Sequence, residues 1–192
     1  FKDEVRRFVR RQLTHVEPSK DLVTLAGVVM EVRAKMTARG KIAFVLLDDG
    51  TTPREVSVFS EVFDNNRQRI VVDEVLIVEV KVSNDDFSGG LRIVADKLMT
   101  LGEARGRFAR ALQLRLNGEV GEAGGPVAAV DRLQAALEPF REGDCQLRVR
   151  YRNAQAEGDL PLGPNWRVRP DDSLLDSLRE WLPPGAVEVI YP

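Results

Sequence analysis

The stretch Val23 to Gly50, VTLAGVVMEVRAKMTARGKIAFVLLDDG, restricts the fold more than any other part of the chain. Two apolar, β-branched runs flank the basic segment Lys35-Met36-Thr37-Ala38-Arg39-Gly40-Lys41, and the second run closes in Asp48-Asp49-Gly50. Over the first run the alternation puts Ala26, Val28, Met30 and Val32 on one face, with Gly27, Glu31 and Arg33 on the other. That period belongs to a strand. A glycine inside such a run weakens a flat strand, so Gly27 predicts a bulge or a bend at a barrel corner. Asp48-Asp49-Gly50-Thr51 predicts a hairpin turn, because aspartate and glycine tolerate the positive φ of tight turns.

The next segments extend the pattern. Arg54–Phe59 alternates as a strand. Ser60 is placed to cap a short helix over Glu61–Ile70, since its hydroxyl can accept an amide hydrogen of the first turn. Glu74–Val82 sets Leu76, Val78, Val80 and Val82 against Glu79 and Lys81. A turn-rich loop, Asn84–Gly90, leads to Leu91–Leu98. Five strands with one helix between the third and fourth are the order of the oligonucleotide-binding (OB) barrel. The expected organisation is an N-terminal helix and linker over 1–21, an OB domain over 22–101, and a small C-terminal α+β domain over 102–192. In the first segment, Phe1–Leu13 reads as a helix. Its apolar stripe is Phe1, Val5, Phe8, Val9 and Leu13, and Lys2, Arg6, Arg7, Arg10 and Arg11 form a solvated basic face. His15, the only histidine, has no second ligand beside it and receives no role.

Beyond Leu101, Gly102–Arg110 reads as a charged connector and Arg110–Leu116 as a strand. Asn117–Gly125 reads as a mobile loop. Pro126 suits the first turn of a helix whose stripe is Val127, Val130, Leu133, Leu137 and Phe140. Cys145, Leu147, Val149 and Tyr151 form the inner face of a strand. A hairpin through Gly158–Asn165, a short strand Trp166–Arg169, a helix capped near Asp171–Ser173 and a last strand Val187–Tyr191 follow. Together they predict an antiparallel sheet with two helices on one face.

Composition narrows the function. No apolar run reaches the ~18 residues of a membrane span, and no membrane partner is expected. One cysteine cannot form an internal disulfide, which suits a reducing cytoplasm. The chain opens on Phe1, so a piece of a longer protein is expected. A net charge of −2 argues against nucleic-acid binding by the whole surface and leaves a local patch. The acidic pairs Asp48/Asp49, Asp85/Asp86 and Asp171/Asp172 sit where aspartate is favoured for local hydrogen bonding. Gly89-Gly90 lacks the following helix and lysine-serine of a phosphate loop. No catalytic residue, metal or cofactor is expected.

The spacing Gly27-x-Val29, Arg33, Gly40-Lys41-x-x-Phe44-x-x-Leu47-x-Asp49-Gly50 resembles the nucleic-acid-binding OB family that includes anticodon-binding domains. Ser83-Asn84-Asp85-Asp86-Phe87-Ser88-Gly89-Gly90-Leu91, Ala95 and Leu101-Gly102-Glu103-Ala104-Arg105 resemble the C-terminal part of bacterial replicative polymerases, the DNA polymerase III alpha family. Trp166-Arg167-Val168-x-Pro170 with Leu174-Leu175-x-x-Leu178-Arg179 resembles that family's last domain. The resemblance implies a non-catalytic region of a DNA-directed DNA polymerase, with an OB domain meeting single-stranded template and a last domain binding the tau subunit of the clamp loader. The rest of the polymerase chain would lie upstream. Two alternatives stand beside it, an anticodon-binding domain of a tRNA synthetase and a purely structural OB spacer.

OB barrels bind strands across their second and third strands and through neighbouring loops. The expected DNA contacts are Arg33, Lys35, Arg39, Lys41 and Arg54 as cations and Phe44, Phe59 and Phe87 as platforms, although Phe44 and Phe59 read first as core. The expected partner contacts are Trp166, Leu174, Trp181, Val187, Val189, Ile190 and Tyr191, because interfaces concentrate energy in aromatic and aliphatic anchors. Among these, Trp166 is also readable as core, and Trp181 and Tyr191 as exposed anchors. Arg148, Arg150, Arg167 and Arg169, with Arg115, form either a solvated sheet face or a docking face for an acidic partner.

Overall fold

β1 (Ser19–Thr37) serves two neighbours in turn. Its first part pairs with β4 (Val75–Asn84) and its second with β2 (Gly40–Asp48), the exchange falling at Val28, which faces both Val75 and Asp48. Gly27 stands at this corner, and a Cβ there would meet the Asp48 backbone at 3.0 Å. The close approach of two backbones is what excludes a side chain. A register shift between Val29 and Glu31 follows, held by Val29 N–H donating to Glu74 O (3.0 Å) and Asp73 N–H donating to Val29 O (2.9 Å). This bulge corrects the expected facing of the strand. Val23, Leu25 and Val29 point into the barrel, and Met30 is 49% exposed. A one-residue slip exchanges the faces, so the strand reads in opposite parity on its two sides.

The computed structural model describes every residue except 1, 38–39, 86–88 and 118–124, and the side chains at 125–128 also lie outside the description. The chain divides into two units, Phe1–Leu101 and Gly102–Pro192. In the first, β1, β2, β3 (Arg54–Phe59), β5 (Leu91–Thr100) and β4 close a barrel in the order β1-β2-β3-β5-β4. β3 and β5 complete it through a parallel pairing of Ser57 with Val94. Ala43, Val45, Leu47, Val56 and Val58 alternate into the same core as Leu76, Val78 and Val80. α2 (Ser60–Asn66) follows β3 directly. The cap position therefore falls on Phe59, which has no acceptor, and the expected Ser60 cap is not made.

The expected helix over Phe1–Leu13 is reduced to α1 (Lys2–Val5). Leu13 begins a single 3₁₀ turn instead. The barrel competes for the backbone that a helix would use internally: Leu13 N–H donates to Asp49 Oδ2 (2.9 Å), and Arg54 Nε donates to Leu13 O (3.0 Å). Val9, Leu13 and Val16 are buried as a result. A short isolated helix has little intrinsic stability to set against that.

The second unit begins in α3 (Leu101–Phe108) and builds a four-stranded sheet, β8-β7-β6-β9, from β6 (Ala111–Asn117), β7 (Gln146–Arg152), β8 (Glu157–Pro161) and β9 (Val187–Ile190). The sheet is mixed rather than antiparallel throughout, because β6 and β7 are parallel. α4 (Gly125–Leu137) lies between them in sequence, and a parallel return needs such a crossover. Leu133 and Leu137 of α4 share one core with Leu174, Leu175 and Leu178 of α5 (Asp172–Arg179), and Leu112, Leu114, Leu147 and Val189 join it from the sheet. Both helices thus cover one face. Val130, expected in the α4 stripe, is 61% exposed. The turn before β8 lies at Asn153–Ala156, where Asn153 Oδ1 accepts the amide hydrogens of Gln155 and Ala156. In place of a strand Trp166–Arg169 there is a 3₁₀ turn, Pro164–Trp166, and a single bridge from Val168 to Cys145. Asp171 caps α5 through Leu174 N–H (3.0 Å). Buried Arg105 donates to Asp172 Oδ1 at 2.5 Å.

Candidate nucleic-acid interface

Cross-strand neighbours share a face of a sheet, so the register assembles the outer surface of the barrel. Arg33 pairs with Phe44, which pairs with Ser57. Lys35 pairs with Ile42, which pairs with Phe59. Phe44 and Phe59 are half-buried and stand outside the sealed core. With Ile42, Ser57, Leu91 and Arg92 they line an open groove, and Glu55 and Asp85 reach the same groove. An apolar floor with two rings is suited to stacking bases, which every base supports through its π-face.

The expected cations separate under the same geometry. Lys35 is exposed and, like Arg92, makes no ion pair with another described residue. Arg33 is 62% exposed but engaged, its Nη2 on the Glu55 carboxylate and its Nε 3.4 Å from Glu31 Oε1. The Lys41 ammonium lies 4.8 Å from the centroid of the Phe63 ring. Arg54 falls on the inward parity of β3 with Val56 and Val58, and its guanidinium is committed to the Leu13 carbonyl. Its place is structural, at one end of the barrel. Arg39 and Phe87 lie outside the described residues. Arg92, outside the expected set, enters the groove from β5 rather than from β2, β3 or the loops. Its signal was the alternation of β5, which turns Arg92 away from Ile93 and Ala95. At the hairpin, Asp48 Oδ1 accepts Gly50 N–H (2.7 Å) and Asp49 Oδ1 accepts Thr51 N–H (3.0 Å). Burial alone would raise the Asp49 pKa, but its hydrogen bonds from Thr51 and Leu13 outweigh that and hold it below the usual value. Among the described residues no cluster of histidine, cysteine or acid side chains is arranged to hold a metal ion.

In the second unit, Leu174 is fully buried and Val189 is 8% exposed, so neither is a contact surface. α5 turns its leucines onto the sheet, and Val189 shares that core. Val187, Tyr191, Trp166 and Trp181 are half-buried against the same core, and Ile190 is half-buried on the strand. Arg132 stacks on Trp181 at 5.0 Å and Arg141 on Trp166 at 4.9 Å. The Trp181 indole N–H is buried without an acceptor among the described residues. β9 is an edge of the sheet, bonded to β6 alone among the described strands. Arg115, Arg148 and Arg150 share the outer face of β6 and β7. Glu188 lies 2.7 Å from Arg115, and Asp159 lies 3.2 Å from Arg150. Arg167 donates to Asp144 O and Arg169 to Asp171, so neither adds an unpaired charge to that face.

Residues 23–101 match the family model for the OB-fold nucleic acid binding domain, and residues 132–182 match the model for the C-terminal domain of DNA polymerase III subunit alpha. The DNA polymerase III subunit alpha of Pseudomonas aeruginosa is 37% identical over 94% of the chain, that of Neisseria meningitidis serogroup B 39% over 98%, and that of Escherichia coli 35% over 98%. The chain belongs with the C-terminal regions of DNA polymerase III alpha subunits. It spans 15% of the Pseudomonas subunit and 16% of the other two. The match covers both units, which a lone anticodon-binding barrel would not account for. One feature of the polymerase C-terminal unit escaped the sequence reading. Leu116, Val130, Tyr151, Leu160, Leu162 and Trp166 line an apolar cleft beside β8, and Val130, Tyr151 and Leu160 are exposed there. Among the described residues no helix is long and apolar enough to cross a membrane.

Proposed function

We propose that this chain is a non-catalytic accessory region of a bacterial replicative DNA polymerase, working in the cytoplasm. Its barrel holds single-stranded template weakly along the Phe44–Phe59 groove, and its second unit docks the tau subunit of the clamp loader. On this reading DNA-directed nucleotidyl transfer belongs to other parts of the polymerase. The observation that carries the DNA reading is the placement of Phe44 and Phe59 outside the core, in a groove lined by Arg92, with Lys35 paired across to its Ile42. Base stacking on such rings is worth about 1–3 kcal/mol per base. With two unpaired cations, the log–log salt slope on single strands is expected near −1.4, from about −0.7 per phosphate.

The test compares oligo-dT, oligo-rU and folded tRNA by fluorescence anisotropy at low salt. Oligo-dT should bind best, and Phe44→Ala with Phe59→Ala should weaken it at least fivefold while the fold survives. A preference for tRNA would favour the anticodon-binding reading, and no binding at all would leave a spacer.

On this reading tau docks at the β9 edge, where half-buried Val187, Ile190 and Tyr191 accompany a strand that pairs with β6 alone among the described strands, and Trp181 is half-buried against the same core. A partner segment can add to such an edge through its own backbone. Because β9 contributes Val189 to the core, deleting it would unfold the unit. Point changes are the better probe. Ile190→Glu or Trp181→Ala should abolish tau binding in a chain that melts normally, and full tau affinity in both would remove this edge from the interface. The cleft at Tyr151 and Leu160 is the second candidate, favoured by its exposed apolar side chains.

A further inference from the structure

Residues 2–12 carry five cations, Lys2, Arg6, Arg7, Arg10 and Arg11, against two acids, Asp3 and Glu4, in a chain of net charge −2. An amphipathic helix would spread these charges around a solvated face. The backbone instead leaves the helix after α1 and is fixed against the barrel by the burial of Val9, Leu13 and Val16. The bonds from Leu13 N–H to Asp49 and from Arg54 to Leu13 O hold its far end. Arg6, Arg10 and Arg11 are exposed and make no ion pair with another described residue. They line one open concavity with Gln12, His15 and Glu17, and it shares no lining residue with the Phe44–Phe59 groove.

We infer that this concavity is a second nucleic-acid contact, which takes the backbone phosphates of duplex DNA. Guanidinium groups pair phosphate oxygens through a planar fork and stay charged at any working pH. The concavity has no phenylalanine, tyrosine or tryptophan among its lining residues, and its one ring is the His15 imidazole, so three arginines offer phosphates more than the site offers bases. Duplex DNA presents one charge per ~1.7 Å of axis, about twice the linear density of one strand, and favours clustered cations accordingly. The groove is built the other way, with two rings, and two of its four neighbouring cations, Arg33 and Lys41, are already engaged. The two sites therefore select different forms of nucleic acid.

The test uses the chain with a short blunt duplex and with oligo-dT, read by anisotropy from low to moderate salt. The wild type should bind the duplex with a log–log slope near −2.7, from about −0.9 for each of three phosphates. Reversing Arg6→Glu, Arg10→Glu and Arg11→Glu should lower duplex affinity at least tenfold and flatten the slope, while oligo-dT binding changes less than twofold. Phe44→Ala with Phe59→Ala should do the opposite. The milder pair Arg10→Gln and Arg11→Gln, at unchanged melting temperature, should remove about two units of slope and guards against a folding defect. Duplex affinity retained within twofold by the reversal variant overturns the assignment. So does a wild type without duplex affinity at low salt, or a reversal that weakens only oligo-dT.

Discussion

Glu55→Gln should strengthen single-strand binding, although it deletes an ion pair. Arg33 sits in the row of Phe44 and Ser57, at the groove, yet its guanidinium is held by Glu55 and flanked by Glu31. The side chains are 62% and 42% exposed for Arg33 and Glu55, and exposed pairs contribute only about 0.2–1 kcal/mol to stability. The variant should therefore melt close to the wild type. Binding gains twice over. Removing one negative charge ~6 Å from an incoming phosphate is worth about 0.7 kcal/mol in bulk-water dielectric, roughly threefold in affinity. The Arg33 Nη2 also becomes available to one more phosphate while its Nε stays beside Glu31, which should steepen the salt slope by up to about 0.7. Anisotropy with oligo-dT across a salt series reads both effects, and Arg33→Gln added to Glu55→Gln should return the slope to the wild-type value. An unchanged slope and affinity in Glu55→Gln, with the protein folded, would refute the claim that this carboxylate withholds Arg33 from the groove.

Two pH dependences follow from the same structure. The Asp49 carboxylate titrates below its ordinary value, so it stabilises the fold above pH 3.8 and loses that contribution as pH falls through its folded pKa. Asp49→Asn should cost about 1 kcal/mol at neutral pH, and chemical denaturation should show its deficit against the wild type closing below about pH 4. Burial pushes the Cys145 thiol up to about 11 from 9.0, so the unfolded chain releases this proton first and stability falls between those pH values. Cys145→Ala should lose less stability than the wild type over that interval, and in the native wild type a thiol reagent should react only after denaturant is added.

The order of the barrel was legible because strand alternation and turn chemistry are local properties. Arg54–Phe59 is strand from end to end, and Asp48 and Asp49 use their side chains on the turn as that chemistry requires. What misled was parity and direction. Ala26, Val28, Met30 and Val32 looked like one buried face, but the bulge after Val29 exchanges inside for outside, and no periodicity spans a bulge. The second sheet was expected to be antiparallel, as in an α+β domain with both helices on one face. Alternation, however, does not report the direction of pairing, which β6 and β7 take from the intervening α4. Of the N-terminal stripe Phe1, Val5, Phe8, Val9 and Leu13, Val9 and Leu13 are indeed buried, but one helix does not carry the stripe: Val5 ends α1 and Leu13 opens a separate 3₁₀ turn.

The same limits shaped the site. Lysines and arginines near a predicted barrel face were legible as candidate DNA contacts, whereas what each cation already touches was not. Lys41 on Phe63, Arg33 on Glu55 and Arg54 on the Leu13 carbonyl are all pairings across more than ten residues of sequence. They turn a segment that looks strongly basic into a groove with two unpaired cations, Lys35 and Arg92, among its described residues. A site of that kind gains more from its rings than from its charges, because each stacked base contributes about 1–3 kcal/mol and survives salt that screens the phosphates. Weak, salt-tolerant contact is useful to a module tethered near its substrate, where effective concentration supplies what affinity lacks. Arg6, Arg10 and Arg11 make no ion pair with another described residue, and for that reason they, rather than the groove, should dominate whatever salt dependence the chain displays.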